Sequence, residues 1–418
     1  MQSPLPYPNF AVPKKNIVYP MRRIFYATIA ALSITAACNK TNNDYCADHG
    51  IPACEYTSKL DSLFTPLFPD NEPGAIVTVM RNDTIIYNHA FGLASLETSH
   101  PITDSTLFNM ASASKIFCAA ALLRLSEQGA ISLDDPLSKY FPEFNPKFFN
   151  RIQIRDILTH SSGLPDLRPQ DPSQWNNYLK KHKSVFSSMP DYRLYGSEKE
   201  YIQIFQDLDT IDFTPSTHYL GTDPAFILVV PLIERITMKE FDTWMHDNIF
   251  KPAGMTDTYY YNAGIKLPRM AHAYRRAGNT TRAGVFRSED GKWEEYDYGE
   301  AEFFLTKADR GAYSSARDFM RWNRALYSGK IVSLESLDSI NTGYIPTDIP
   351  YVTYGYGNAI DNTPGKEPKV FHMNTNGGFS IIEASIPGLK LNYVILANRA
   401  DWNRHDICDK VDSILMKL

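Results

Sequence analysis

A serine and a lysine three residues apart are the strongest chemical signal in the sequence. Ser112-Ala113-Ser114-Lys115 is the only Ser-x-x-Lys, and it opens an apolar stretch that predicts a buried helix ended by Gly129. Positions i and i+3 share a helix face, so the ammonium can reach the hydroxyl. Backbone N–H groups at a helix start favour a developing anion, and burial can turn a lysine into a base. The pattern indicates an acyl-transfer nucleophile, although two residues capping an ordinary helix would look the same.

Further motifs give this pair a context. The pair lies within PITDSTLFNMASASKIFCAAALLRLSEQGAISLDDPLSKYFPEF, and RIQIRDILTHSSGLPDL (151–167), IFKPAGMTDT (249–258) and GAYSSARDFMRWNRAL (311–326) follow in order. Together they resemble the β-lactamase-related serine hydrolases, a group of class C β-lactamases, D-Ala-D-Ala peptidases, D-aminopeptidases and esterases. The resemblance runs from about residue 59 to the C-terminus. It implies an α+β protein with the β-lactamase/DD-peptidase-like fold.

The family's second catalytic element, Tyr-x-Asn, is altered in this chain. The flanks of PSTHYLGTDPAFILVVPLIERIT align from Pro215 to Thr237, which puts Gly221 at the tyrosine position and Asp223 at the asparagine position. Tyr219 falls two residues earlier, where it is a candidate substitute phenol. The resemblance implies that Asp223 takes part in catalysis and that Tyr219 and Gly221 contact the substrate.

The third element, Lys-Thr-Gly or His-x-Gly in the family, is His372-Met373-Asn374. His372 matches the family pattern. Asn374 replaces the glycine that lets the strand backbone approach the substrate, so we expect its Cβ and amide to crowd the oxyanion pocket and to contact the substrate. The resemblance implies that the backbone N–H groups of Ser112 and Thr375 are the oxyanion donors.

These assignments lead to competing functions. In the first, Ser112 attacks an ester or amide carbonyl of a small-molecule or peptide substrate, while Lys115, Asp223 and His372 shuttle protons and orient it. Loss of a general base costs roughly 10²–10⁴ in rate, and damage to an oxyanion donor costs roughly 10²–10³. The second function is therefore a degenerate member that binds a cell-wall-type ligand without turnover, and a purely structural surface lipoprotein is a third. A carboxylate at Asp223 beside Lys115 would favour the ammonium, which would leave His372 or Asp223 to accept the proton.

Other chemistry finds little support in the sequence. His160 and Ser161 suggest a Ser–His pair, but the family precedent for this segment is a structural turn beside the site. HExxH, CxxC and P-loop patterns are absent, and Asp, Glu and His do not cluster at ligand spacing, so no metal or cofactor is expected. The 42 basic and 47 acidic residues give a net charge of -5, which excludes a bulk cationic nucleic-acid binder.

The elements that must position these residues come from both ends of the chain. Strand patterns AIVTVMR and TIIYNHAFG flank Asn82-Asp83, and FSIIEASI and KLNYVILA flank Pro387-Gly388-Leu389, so two hairpins are predicted. A mainly helical lobe covers roughly 115–260, and an amphipathic helix covers about 402–417. We expect an antiparallel sheet built from both chain ends, flanked by helices, with the helical lobe inserted.

The N-terminus predicts export. Residues 1–20 form an upstream extension, and residues 21–37 combine Arg22, Arg23 and a 14-residue apolar run, as in a signal peptide. Thr35-Ala36-Ala37-Cys38 resembles a bacterial lipoprotein box, which implies lipidation of Cys38 and a membrane anchor facing the periplasm or the cell surface. The alternative is a secretory signal cut after Ala37. Residues 38–58 then form a tether, in which a Cys46–Cys54 disulfide is plausible in an oxidising compartment.

Overall fold

The computed structural model describes residues 55–165, 202, 205–221, 224–260, 269–276, 292–295 and 307–417. The predicted upstream extension, signal peptide, lipidated Cys38 and Cys46–Cys54 disulfide lie outside these residues, and so does Asp223. They stay predictions. Among the described residues, no helix is both long enough and apolar enough to span a bilayer.

The strands are β1 Ala75–Arg81, β2 Thr84–Phe91, β3 Leu93–Ser95, β4 His100–Pro101, β5 Phe108–Asn109, β6 Tyr259–Tyr260, β7 Tyr274–Arg276, β8 Trp293–Glu295, β9 Ala312–Ser314, β10 Ile345–Pro346, β11 Val352–Tyr354, β12 Ala359–Asp361, β13 Lys369–Asn376, β14 Phe379–Ile386 and β15 Leu391–Ala397. Eight of them form one antiparallel sheet in the order β10-β11-β12-β13-β14-β15-β1-β2. The chain ends meet where β1 pairs with β15. This confirms the predicted sheet built from both ends of the chain.

The helices are α1 Glu55–Phe64, α2 Ser114–Glu127, α3 Pro146–Phe149, α4 Ile154–Leu158, α5 Val229–Thr237, α6 Phe241–Met245, α7 Lys251–Ala253, α8 Lys307–Arg310, α9 Ala316–Tyr327, α10 Leu334–Ile340 and α11 Arg404–Leu415. Short 3₁₀ turns occupy Ala111–Ala113, Leu137–Lys139, Pro224–Leu228 and Pro387–Leu389, and a π turn occupies His246–Phe250. The predicted C-terminal helix is confirmed as α11.

Both predicted hairpins are present. Asn82 and Asp83 join β1 to β2 with φ values of 48° and 62°, the left-handed pair that a tight two-residue hairpin requires. The 3₁₀ turn Pro387–Leu389 joins β14 to β15. Local turn chemistry therefore fixes the register of β1 with β2 and of β14 with β15.

The sheet separates two apolar cores. On one face, α1 and α11 cover β1, β14 and β15. On the other face, α2 lies in the larger core with the helices of the inserted lobe, and 11 of its 14 residues are buried. A helix that is apolar nearly all round needs such complete coverage, which explains its central position.

The predicted boundary between tether and domain at residues 58 and 59 is too late. Helix α1 begins at Glu55, and Tyr56 and Thr57 are buried. The Tyr56 hydroxyl donates to the carbonyl of Ile86 on β2, 3.0 Å away. These residues read as polar in sequence, but their apolar parts cover the sheet while the hydroxyl finds a backbone partner.

Two of the motifs that carry the family resemblance, at 249–258 and 311–326, meet in a buried polar cluster. Asp318 on α9 is fully buried and accepts hydrogen bonds from the Asp257 N–H at 2.6 Å and from Thr258 Oγ1 at 3.0 Å. Because a buried carboxylate is costly unless it is fully hydrogen-bonded, the two motifs depend on each other. They support β9, which lies beside the start of α2.

Asp257 generates a pH-dependent prediction. Arg269, helped by Arg317, lowers the pKa of Asp257 to about 2 through hydrogen bonds of 2.6 Å each. The folded pKa is below the unfolded one, so this stabilisation is present above about pH 4 and disappears as pH falls towards 2. We expect Asp257→Asn to lower the free energy of unfolding by about 2 kcal/mol at pH 7.

Urea unfolding at pH 7, 4 and 3 measures the free energy of unfolding of the wild type and of Asp257→Asn. The difference between the two should become smaller as the pH falls. Glu55→Gln, in an exposed ion pair with Lys59, is the control and should leave stability unchanged. A loss that is the same at pH 7 and pH 3 would contradict the assignment.

Candidate active site

The turn that carries Ser112 is strained. Ala111, directly before it, has a φ of +45°, in the left-handed region that a residue with a Cβ rarely occupies. The side chain of Asn109 holds this turn. Its Oδ1 accepts from the Ala111 N–H at 2.8 Å, and its Nδ2 donates to the carbonyl of Arg310 at 3.0 Å. The strain is therefore maintained by a buried hydrogen-bond network that projects Ser112 at the start of α2.

The same amide joins the turn to the central sheet. Asn376, near the end of β13, donates through Nδ2 to Asn109 Oδ1 at 3.1 Å. Both asparagines are buried. Neither asparagine was predicted from the sequence, although a polar amide in an otherwise apolar strand segment is a signal of a buried hydrogen-bonding role. They connect the first motif of the family resemblance to the third.

Lys115 is buried one helical turn beyond Ser112 and is anchored at its tip. Its side-chain Nζ donates to the carbonyl of Asp309 at 3.2 Å and lies 5.6 Å from the centre of the Phe226 ring. An acceptor and an aromatic face both favour the charged ammonium. Ser114, the serine between them, serves the fold instead, because its hydroxyl donates to the Ala111 carbonyl at 2.7 Å.

A cavity of about 340 Å³ lies in front of this turn. It is lined by Ser112, Lys115, His160, Tyr219, Gly221, Thr347, Asp348, Ile349, Val352, Tyr354, Ala359, Phe371, His372, Met373, Asn374 and His405. Six of the residues that the sequence singled out as catalytic or substrate-binding therefore surround one space. The seventh, Asp223, lies outside the described residues, and Thr375 follows Asn374 directly on β13.

Tyr219 fills the space that the altered second motif leaves open. A Cβ placed on Gly221 would lie 3.0 Å from the Tyr219 hydroxyl and 3.4 Å from two of its ring carbons. The ring also packs near His160 and Tyr354, with centroid distances of 6.0 and 5.2 Å. The phenol of Tyr219 thus reaches the place where the side chain of a residue at 221 would begin.

The motif at 151–167 forms backbone hydrogen bonds with the segment that carries Tyr219. The carbonyl of His160 accepts from the Leu220 N–H, and the carbonyl of Ser161 accepts from the Ser216 N–H, both at 2.9 Å. A Cβ on Gly163 would lie 2.2 Å from the Phe213 carbonyl, so only glycine allows the two backbones to approach. This geometry gives the signature a structural role at the wall of the cavity.

The third motif lies on an open strand edge. Strand β12 pairs with β13 only as far as Phe371, so the edge from His372 onward faces the cavity. On this edge the Thr375 N–H donates to Oδ1 of the Asn374 side chain at 3.0 Å. The amide that replaces the family's glycine therefore occupies the backbone donor assigned to the oxyanion.

His372 has a partner that the sequence did not predict. Its Nδ1 lies 2.8 Å from Oε1 of Glu383 on β14, and both side chains are buried. The two residues are directly paired across the strands, a relation that only the register reveals. The described residues contain no group of three or more His, Cys, Asp or Glu side chains that could hold a metal ion.

The fold and this arrangement define a serine hydrolase of the β-lactamase fold. The Beta-lactamase family model matches residues 60–411, so the chain belongs to that family and is an enzyme of the serine hydrolase type. Penicillin-binding protein 4* of Bacillus subtilis (strain 168) is 24% identical over 350 residues, which cover 83% of this chain and 73% of that protein.

Two further comparisons agree with this family. Esterase EstB of Burkholderia gladioli is 35% identical over 119 residues, which cover 27% of this chain and 30% of that protein. The solved structure of the D-amino acid amidase from Ochrobactrum anthropi SV3 superimposes with a TM-score of 0.68 at 20% identity, covering 87% of this chain and 99% of that chain. At this identity the structural likeness shows the fold.

The contact between Asn374 and Thr375 predicts that a substitution in the active site should raise the catalytic rate. If its amide must leave the Thr375 N–H before a substrate oxygen can use it, breaking that hydrogen bond costs about 1 kcal/mol, or roughly fivefold in rate. We therefore expect Asn374→Gly to raise kcat/KM for ester hydrolysis by about fivefold.

Two further variants distinguish the effect of the Asn374 Cβ from that of its side-chain amide. Asn374→Ala keeps the Cβ but loses the amide, so it should share the gain if the hydrogen bond is the obstacle. Asn374→Asp retains an acceptor beside the N–H and should gain nothing. Unchanged or lower rates in both the glycine and the alanine variants would rule out obstruction by this side chain.

Proposed function

We propose that the protein is an exported serine hydrolase that transfers the acyl group of an ester or amide, peptide-like substrate first to Ser112 and then to water. The observation that supports this most is the convergence of Ser112, Lys115, Tyr219 and His372 on one cavity beside an open strand edge. Export is the prediction made from residues 21–38.

In the first half of the proposed reaction, Ser112 Oγ forms a bond to the substrate carbonyl carbon and loses its proton. Lys115 is held by the Asp309 carbonyl and the Phe226 ring in contacts that suit its ammonium form. Its proposed role is therefore to orient the hydroxyl and to stabilise negative charge. The proton then passes to the neutral imidazole of His372 or to Tyr219 in its phenolate form, both of which line the same cavity.

The leaving group takes that proton as the tetrahedral intermediate collapses and its bond to the acyl carbon breaks. Water then attacks the acyl-enzyme by the reverse sequence of proton transfers and releases the acid. During both steps the negative oxygen needs backbone donors, for which we propose the N–H groups of Ser112 and Thr375. Thr375 becomes available when the Asn374 side chain rotates away.

Two observations favour the second candidate, a protein that binds a cell-wall-type ligand without turnover. The Thr375 N–H is already occupied by Asn374, and the residue at the motif tyrosine position is Gly221. Under this alternative the cavity retains its shape, but Ser112 forms no covalent bond.

Covalent labelling distinguishes the two candidates. We expect a fluorophosphonate to add one adduct to the mature chain and Ser112→Ala to abolish it, because the nucleophile is lost. Intact mass spectrometry measures the adduct, with penicillin as a separate probe. Ser114→Ala, the same change two residues away, should still be labelled. No adduct with either probe would favour the binding protein.

Tyr219 yields a second prediction. If its hydroxyl replaces the missing phenol, Tyr219→Phe should lower kcat roughly 10²–10⁴-fold, because a positioned proton carrier is lost while the ring packing stays. Tyr344→Phe, which removes an exposed phenol from the neighbouring hairpin, is the matched control and should be silent. Steady-state kinetics with an ester substrate measure both. A fully active Tyr219→Phe enzyme would assign the proton to another group.

A further inference from the structure

Glu383 is a buried carboxylate that the proposed reaction does not use directly. It lies on β14 opposite His372 on β13, and each side chain is only 5% exposed. Ile381, two residues earlier and so on the same face of β14, belongs to the core that contains α2. Glu383 therefore faces the side of the sheet on which Ser112 lies. A buried carboxylate at such a position needs a reason, since its desolvation is costly.

The hydrogen bond between the pair determines how the imidazole is presented. His372 Nδ1 and Glu383 Oε1 are 2.8 Å apart. An ionised carboxylate only accepts, so Nδ1 must carry a proton, and in the neutral ring Nε2 then has the free lone pair. Cross-strand pairing places the two side chains directly opposite each other, so the backbone register brings the carboxylate to Nδ1.

The other ring nitrogen is buried without a hydrogen-bond partner among the residues that the structure describes. Buried polar atoms are nearly always paired, and this nitrogen can pair with a group that enters the cavity. The ring lines the cavity that also contains Ser112 and Lys115. A pair that served only stability would gain nothing from leaving one nitrogen unsatisfied at the wall of a cavity.

We propose that Glu383 is a positioning residue, which holds His372 so that Nε2 meets the group bound at Ser112. This inference rests on the proposed acyl transfer. In it, Nε2 accepts a proton as Ser112 Oγ bonds to the carbonyl carbon and returns it to the departing oxygen or nitrogen. Glu383 stays ionised throughout and compensates the transient imidazolium. The ring exchanges one proton each way, so no other reactant is needed.

Several titratable groups surround this pair and must be considered in any pH experiment. Burial and the charge of Glu383 raise the pKa of Tyr327 on α9 to about 12, so that phenol stays neutral. The titratable groups that share the cavity with His372 are Lys115 from α2, His160, Tyr219, Tyr354, Asp348 and His405. Because histidine is the side chain type that can change charge near neutral pH, a variant of His405 serves as the control.

The experiment measures the pH dependence of Ser112 labelling by a fluorophosphonate in the full chain. We expect Glu383→Leu to lower the rate constant about 10²-fold, since the tautomer and orientation of His372 are lost. Glu383→Gln keeps an acceptor for Nδ1–H but not the charge. It should retain more activity and shift the acid limb of the profile to lower pH, because the imidazolium loses its counter-ion. His405→Gln should leave that limb in place.

A double-mutant cycle tests whether Glu383 acts through His372. In a His372→Ala background, Glu383→Leu should have no further effect on the labelling rate. A readout independent of activity comes from ¹⁵N NMR spectra of the His372 ring. The ring signals of this residue are assigned by their disappearance in His372→Ala. They should show the Nδ1–H tautomer in the wild type and in Glu383→Gln.

The outcomes separate the two hypotheses. If wild-type protein forms no adduct, the proposed acyl transfer fails, and the role of Glu383 fails with it. If wild-type Ser112 is labelled but Glu383→Gln keeps the wild-type pH profile, only the positioning role is overturned. The positioning role is also overturned if Glu383→Leu lowers the labelling rate as much in the His372→Ala background as in the wild type. Circular dichroism checks each variant for folding, and the glutamine variant decides the matter if the leucine variant unfolds.

Discussion

The geometry of the site depends on one buried amide, the side chain of Asn109. It is the common partner of the Ala111 N–H, the Arg310 carbonyl and the Asn376 amide. Each of these polar groups would cost about 1–3 kcal/mol if left buried and unpaired. That is comparable to the roughly 1–2 kcal/mol needed to hold a residue with a Cβ in the left-handed conformation. The network can therefore maintain the strained turn and, at the same time, set the distance between the nucleophile turn and β13.

Two features of the cavity account for the altered second and third motifs: the volume beside residue 221 and the open edge of β13. Tyr219 and a side chain at 221 would compete for the same volume, so the glycine and the displaced tyrosine form one compatible arrangement. The pairing of β12 with β13 ends at Phe371, which leaves the cavity-facing edge of β13 beyond that residue without a strand partner. Such an edge invites a partner, and here the Asn374 side chain takes one of the donors. Under the proposed mechanism, a substrate oxygen therefore competes with the protein's own amide for this donor.

The charges of the site are arranged by burial rather than by proximity in sequence. Lys115 reaches a carbonyl that lies 194 residues away along the chain, and His372 meets Glu383 across a hairpin. In a low-dielectric interior such hydrogen bonds are stronger than they would be in water. The fold thus sets the positions and partners of these polar groups before any substrate enters the cavity.

The family, the α+β fold, both hairpins and six of the residues that line the cavity could be predicted from the sequence alone. These follow from local patterns: the β-branched and other apolar residues of β1 and β2, the apolar run of α2 and the turn residues Asn82-Asp83. Only the tertiary structure decided what these residues touch. The position of the Tyr219 phenol and the Asn374 contact with Thr375 depend on loop path and strand ends. Such relations depend on register and packing between distant segments, which no local pattern encodes.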